Sequence, residues 1–324
     1  MREEEIRPRN LFDEYLRLAA LDAEKYFGRS SRRSVLCPAC GAQGERVFSK
    51  HGFSYEECPV CQTLFVSPRP PAPDFFRYYQ KSDSARFFAT TFYRETAEAR
   101  REKLWRPKAA KVKEVLQKYG VGQYAVIDIG GGYGILAEEY ERLTGTPVTV
   151  IEPSSTLAEI CRQKGLSVVE EFLERVDGGQ LPAGPKAFVS FELFEHLHDS
   201  EVFLRQLTTL MQSGDVFFFT TLSGMGVDIQ VLWEESKSIS LQHLNFFNPK
   251  SVRMLLERHG FRVLHVDTPG RLDIDILYNN QTRITDRFWR NFLASATQEE
   301  MQRWQDFVAD QGRSSHMHVI CQRP

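Results

Sequence analysis

Ten residues, Ala125 to Gly134, constrain this chain more than any others: they read Ala-Val-Ile-Asp-Ile-Gly-Gly-Gly-Tyr-Gly. Val126, Ile127 and Ile129 are a short β-branched run suited to a buried parallel strand, and the run stops in glycines before a helical pattern from Ile135 to Leu143. The stretch is therefore a strand, a tight turn and a helix. Glycine reaches φ > 0 and leaves no side chain where a ligand must lie against backbone, and the helix N-terminus supplies free N–H groups. A second apolar run, Val148 to Ile151, ends at Glu152, 24 positions after Asp128. That offset fits the acidic residue at the tip of the second strand in a mononucleotide-binding unit, where a carboxylate can accept both ribose hydroxyls.

Spacing decides which ligand the turn holds. A dinucleotide fingerprint, GxGxxG, needs a third glycine where Ile135 stands, and Gly134 falls one place early. The pattern is DxGxGxG on Asp128, Gly130, Gly132 and Gly134, and it resembles motif I of the class I methyltransferases, which bind S-adenosylmethionine (SAM). The resemblance implies that the loop passes under the methionine half of SAM, that Asp128 helps to hold its ammonium group, and that Glu152 takes the ribose. It also implies that Glu171 and Phe172, just after the third strand, lie near the adenine.

Beyond Gly120 the pattern alternates. Strands are predicted near 124–129, 147–152, 167–170, 187–191, 215–221, 261–267 and 316–321, and helices near 134–143, 155–164, 200–211 and 249–259. This is an α/β chain with a doubly wound, mostly parallel seven-stranded sheet. The methyltransferase resemblance adds the order 3-2-1-4-5-7-6 with the seventh strand antiparallel. Residues 269–313 read as a helical insertion.

Ahead of this domain, residues 9–27 carry apolar side chains at helical spacing and predict an amphipathic N-terminal helix. Residues 29–33 are a basic link. Cys37-Pro-Ala-Cys40 and Cys58-Pro-Val-Cys61 follow, two CxxC pairs with 17 residues between them. Each pair can place two thiolates on one metal, and four such ligands make a closed tetrahedral zinc site that supports folding and leaves no position for a substrate water. Two disulfides would need an oxidising compartment, and a redox CxxC needs no partner pair. Cys161 and Cys321 stand apart and read as small buried hydrophobes. The expected organisation is a helix and link at 1–34, a small zinc ribbon at 35–70, a helical lid at 71–119 rich in Phe and Tyr, and the SAM-binding domain at 120–324.

The 324 residues can bury a full core, and 42% hydrophobic with 26% charged residues is ordinary for a soluble globular protein. No apolar run approaches 18 residues and the N-terminus lacks an apolar signal core, so a cytoplasmic protein is expected, neither secreted nor spanning a membrane. A net charge of −2 hides an asymmetry: residues 1–120 hold 23 Lys and Arg against 16 Asp and Glu. Much of that excess falls in mixed-sign helical stretches such as Arg94 to Lys118, which read as a solvated face. The pI of 6.5 argues against a nucleic-acid partner.

Two further segments could carry chemistry. The fourth strand ends in Glu192-Leu-Phe-Glu195-His196-Leu-His198-Asp199, at the carboxyl edge where ligands bind in such sheets. It resembles the family's ExxEH segment. A metal could be held there, but the same string occurs in family members without a catalytic metal; Glu192 is assigned to the cofactor side and His196 to orienting a loop or the substrate. Downstream, Gln242-His243-Leu-Asn-Phe-Phe resembles the EHxxxF segment of small-molecule methyltransferases, including nucleotide-sugar C-methyltransferases with an N-terminal zinc ribbon. In those enzymes the matching histidine is the base. His243 matches, while Gln242 replaces the usual glutamate.

Because a sulfonium already activates its methyl group, the protein must align a nucleophile and remove its proton, a task suited to an imidazole. The reading is a SAM-dependent methyltransferase of a small-molecule acceptor, favoured as a nucleotide-activated sugar or polysaccharide precursor, with His243 as general base and His196 as the second catalytic candidate. The alternatives are an RNA methyltransferase that uses the zinc module for recognition, and a SAM-binding module without turnover.

Overall fold

The computed structural model describes residues 2–120 and 124–324. In chain order its strands are β1 (Glu45–Lys50), β2 (Phe53–Glu57), β3 (Leu64–Val66), β4 (Ala125–Ile129), β5 (Val148–Ile151), β6 (Ser167–Val169), β7 (Lys186–Phe191), β8 (Val216–Leu222), β9 (Asn245–Phe246), β10 (Arg262–Asp267) and β11 (His316–Gln322). The chain divides into two compact units. One comprises Met1–Ala99, Leu222–Val252 and Asp267–Met317; the other comprises Arg100–Thr221, Arg253–Val266 and His318–Pro324.

The second unit carries the seven-stranded sheet, ordered β10-β11-β8-β7-β4-β5-β6. Numbered along the α/β portion, this is the predicted order 3-2-1-4-5-7-6. β4 pairs in parallel with both β5 and β7, Val126 lying opposite Val148 and Ala187. β5 continues in parallel to β6, and β7 to β8. Helices Ile135–Thr144, Ser155–Gln163 and Ser200–Leu210 make crossovers between these strands. Val126, Val148, Val150, Ala187 and Val189 pack against Leu136 and Tyr140 of the first of these helices and against Val112 and Val115 of the helix Arg106–Tyr119. The near-continuous apolar runs of β5 and β7 are those of strands covered on both faces. β4 sits where the strand order reverses, so the loop after it opens into the crevice at the carboxyl ends of the strands.

One ion cluster ties the helix Ile135–Thr144 to the stretch that leads into the helix Arg106–Tyr119. The Glu139 carboxylate is almost fully buried and accepts from Arg101 at 2.7 Å, Arg106 at 3.0 Å and Arg142 at 2.6 Å. These guanidinium groups hold its carboxyl well below the usual range against the opposing effect of burial, at about 2.

The first unit begins with the predicted N-terminal helix, Arg9–Phe27. A small sheet follows, ordered β1-β2-β3-β9. Phe27, Phe48, Phe53, Tyr55, Leu64 and Phe75 form its core with Leu244 and Phe246. β9 was not legible as a strand: two residues cannot show an alternation, yet Leu64 pairs with Phe246 and Phe65 with Asn245, antiparallel. Helices Asp273–Asn279, Arg287–Ser295 and Gln298–Asp310 close a separate apolar cluster around Leu277 and Leu293. No helix among the described residues is long and apolar enough to cross a membrane.

Candidate active site

In the second unit, β4 delivers Asp128 and the chain then turns through glycines. Gly130, Gly132 and Gly134 have φ of 70°, 56° and 68°, the left-handed region that other residues avoid. Close packing excludes side chains as well. A Cβ on Gly134 would lie 2.5 Å from Leu166 and 2.9 Å from the Cys161 sulfur, and one on Gly131 would lie 2.7 Å from Asp128 Oδ2. Above Gly132 nothing lies within 4 Å of a built Cβ, so the backbone is open to a ligand there. Gly130 N–H donates to the Ile151 carbonyl at 2.8 Å, which ties the turn to the end of β5.

Glu152 lies at that end and is buried. Its Oε2 accepts from Gly132 N–H at 3.0 Å and its Oε1 from Ser154 N–H at 2.9 Å. Burial pushes its carboxyl up, against the pull of those two amides. Asp128 is buried too, and its Oδ2 has no hydrogen-bond partner among the described residues. Burial, and then the charge of Glu152, raise the Asp128 carboxyl from 3.8 to about 7, with Lys108 acting the other way. Two carboxyl groups held with poor compensation beside an open glycine turn are a site prepared for a ligand with a cation and hydroxyl donors. SAM has both, in its ammonium and its ribose.

The remaining candidates of this unit occupy the loops after β6 and β7. Phe172 N–H donates to the Glu171 side chain at 2.9 Å, and the Arg175 guanidinium stands 5.9 Å from the Phe172 ring centre, so this pair forms a local turn after β6. Glu192 follows β7 with a φ of 55°. Its Oε1 accepts from Lys108 Nζ at 2.7 Å and from Thr220 Oγ1 at 2.9 Å. Lys108 belongs to the stretch read from sequence as a solvated mixed-charge face; here its ammonium also lies 4.9 Å from the Trp105 ring centre and 5.2 Å from that of Phe191. No sequence signal separates Lys108 from its solvated neighbours. Glu195 and His196 share the short helical turn Phe194–His196. Glu195 is fully enclosed, accepts from Thr221 Oγ1 at 2.8 Å, and its carboxyl is pushed up by burial and then by the charge of Glu192.

Cys161 does more than fill space: its thiol donates to the Gly132 carbonyl at 3.2 Å and supports the turn from below.

His243 belongs to the first unit. Its Nδ1 lies 2.6 Å from the Ser238 carbonyl oxygen. A carbonyl only accepts, so Nδ1 carries the proton, and in the neutral ring Nε2 is the nitrogen that can take another. The Gln242 amide donates to the Tyr78 hydroxyl at 2.6 Å. Gln242 therefore works as a structural amide, and a backbone carbonyl sets the His243 tautomer.

The four ribbon cysteines are brought together as the sequence predicted, with all four sulfurs within 4.8 Å of one another. Cys37 and Cys61 are 3.5 Å apart and Cys40 and Cys58 3.4 Å apart. Those distances exceed a disulfide bond and approach the ~3.8 Å edge of a tetrahedral zinc–thiolate cage. Each pair closes in the same turn. Gly41 N–H donates to Cys37 O and Gln62 N–H to Cys58 O, both at 2.8 Å, and Gly41 and Gln62 both have positive φ. The contact with the Cys37 thiol pulls the Cys61 thiol down, which favours a thiolate in the pair. The donor set fits zinc.

Comparison with known proteins follows the same line. Residues 85–266 match the family model described as a methyltransferase domain. The chain is 24% identical over 183 residues to the ubiquinone biosynthesis O-methyltransferase of Xanthomonas euvesicatoria, a match that spans 53% of this chain and 74% of that protein. It is 29% identical over 103 residues to the protein of the same name in Xanthomonas campestris, where the match spans 30% of this chain and 43% of the other. Among solved structures, geranyl diphosphate C-methyltransferase from Streptomyces coelicolor aligns with a TM-score of 0.47 at 12% identity, over 71% of this chain and 84% of that one. With more than half its length matched by the family model, the chain belongs to the methyltransferase-domain family and is a SAM-dependent methyltransferase.

Proposed function

We propose that this enzyme methylates an oxygen or acidic carbon of a small-molecule acceptor, with His243 as general base, and that the acceptor is a nucleotide-activated sugar or polysaccharide precursor. The observation that carries the reading is the 2.6 Å contact of His243 Nδ1 with the Ser238 carbonyl. It commits the ring to the tautomer whose Nε2 can receive a proton, the state a general base needs before the reaction. An amine acceptor attacks through its own lone pair and makes no such demand.

SAM supplies a methyl group already activated by its sulfonium. Asp128 and Glu152 would hold its ammonium and ribose, the turn Gly130–Gly134 would lie under its methionine half, and Glu171 and Phe172 would border its adenine. His196 is assigned to orienting the acceptor and Glu192 to the cofactor side. The names of the Xanthomonas relatives support transfer to oxygen. The histidine segment and the paired CxxC ribbon, held together in one unit, support the nucleotide-sugar class.

The test is release of S-adenosylhomocysteine from SAM across a panel of nucleotide sugars, phenolic acceptors and bulk RNA, with wild type and His243→Ala. Turnover of a nucleotide sugar, reduced about a hundredfold to ten-thousandfold in the variant with SAM affinity intact, is expected. Near-wild-type turnover by His243→Ala removes the base assignment. Turnover confined to phenols or to RNA removes the acceptor class.

A further inference from the structure

Among the bonds that join the ribbon to the His243 segment, those of one buried side chain reach the metal-binding turn itself. Asn248 is buried, and its Nδ2 donates to the carbonyls of Cys61 at 2.8 Å and Gln62 at 3.1 Å, in the turn that presents Cys58 and Cys61. Its Oδ1 accepts from the N–H groups of Lys250 at 3.0 Å and Ser251 at 2.9 Å, capping the helix that begins at Pro249. A single amide thus uses both donors on the cysteine turn and its acceptor on the chain that follows the histidine.

The rest of the segment is tied to the ribbon throughout its length. Lys50 donates to the Ser236 carbonyl at 2.7 Å and Tyr55 to the Ser240 carbonyl at 3.1 Å. Val66 N–H and the Arg69 guanidinium donate to the Leu244 carbonyl at 3.0 Å and 3.2 Å. Lys250 Nζ reaches back to the Val60 carbonyl at 2.8 Å. Within the segment, His243 is fixed by Ser238 O on its ring and Ser240 O on its backbone.

We infer that Asn248 is a positioning residue: it couples the metal-binding turn Cys58–Cys61 to the loop of His243, so the ribbon metal sets the histidine without taking part in the reaction. The inference rests on His243 being the base and on zinc closing the four thiolates. A bound metal holds the turn closed and its carbonyls Cys61 O and Gln62 O in place. If that turn relaxes, the Nδ2 donors lose their acceptors and residues 238–248 lose an anchor, while the Asp128–Glu152 site lies on other elements.

Asn248→Asp isolates the coupling. Asp caps helices as well as Asn does, so the Lys250 and Ser251 bonds remain, but an oxygen now faces two carbonyls where an NH2 group donated. Hydrogen exchange of the zinc-loaded full chain should show faster exchange across 238–248 in this variant, with exchange across 125–152, SAM affinity and zinc content unchanged. Removing zinc from wild type with a chelator should accelerate the same 238–248 amides. Turnover should fall on the order of a hundredfold at saturating substrate, as expected for a misplaced catalytic group. Lys250→Met, which keeps the cap and loses only the Val60 bond, should give a smaller change in the same direction and serves if Asn248→Asp does not fold. Wild-type exchange across 238–248 in both variants would overturn the coupling, and so would unchanged exchange there after zinc removal. Because exchange does not depend on what His243 does, failure of the base assignment would appear separately, as retained turnover in His243→Ala.

Discussion

Asp128→Asn is expected to make the ligand-free enzyme more stable in alkali while weakening its grip on SAM. The wild-type carboxyl is raised from 3.8 to about 7, chiefly by burial. A carboxyl with a raised pKa binds its proton more tightly in the folded state, so it costs little stability below pH 4, and the cost accumulates as pH rises towards 7 and is complete above it. Linkage over that interval gives a cost of about 1.7 kcal/mol at pH 5 and about 4 kcal/mol at pH 8, so wild type should lose about 2.5 kcal/mol relative to the variant between the two. Asn has the shape of Asp and no charge. Its amide brings its own cost of about 1–3 kcal/mol if it finds no acceptor. That cost does not depend on pH, so the difference between the two pH values isolates the ionisation. Urea unfolding of both proteins without ligand at pH 5 and pH 8 measures it, and calorimetry should show SAM binding weakened roughly ten- to a hundredfold, the worth of a charged hydrogen bond. A stability difference that is the same at both pH values would refute the reasoning, because the Asp128 carboxyl would then be as easily ionised in the folded protein as in the unfolded chain.

Two further outcomes follow from the structure. Metal analysis should find one zinc per chain, lost in Cys58→Ala with lowered stability; a preparation with no zinc and full stability would contradict the ribbon assignment. Glu139→Gln should cost about 2 kcal/mol at pH 7, allowing for solvent around Arg106 and Arg142, because the depressed carboxyl contributes its stability above its unfolded pKa and loses it as pH falls towards 2; denaturant unfolding should show the gap between the proteins narrowing below pH 4.

What the sequence disclosed was what local patterns can encode. The β-branched run before Gly130, the glycine spacing and the paired CxxC turns all act within a few residues, and each appears in the structure where it was read. The features that escaped depend on partners far along the chain. Lys108 looks like its solvated neighbours until the fold brings it to Glu192. Gln242 reads as a lost carboxylate, and only its bond to Tyr78 shows that an amide is needed there. Asn245 and Phe246 form a strand because β3 offers an edge, with no propensity signal of their own. Cys161 has the composition of a core residue, and nothing local reveals that its sulfur meets the Gly132 carbonyl.

The pairing of β3 with β9 bears on how the chain comes into being. Cys61 and Asn248 are 187 residues apart, so most of the protein must be synthesised before the small sheet can acquire its last strand. Until then β3 is paired with β2 alone and its other edge is open, so Leu64, Phe65 and Val66, all buried in the finished molecule, have no strand on that side. An unpaired apolar edge is a template for association with other chains, and contacts this distant slow the search for the native state. A fragment that ends soon after the cysteines would therefore carry every metal ligand and still lack the strand that covers it, which makes self-association its natural fate.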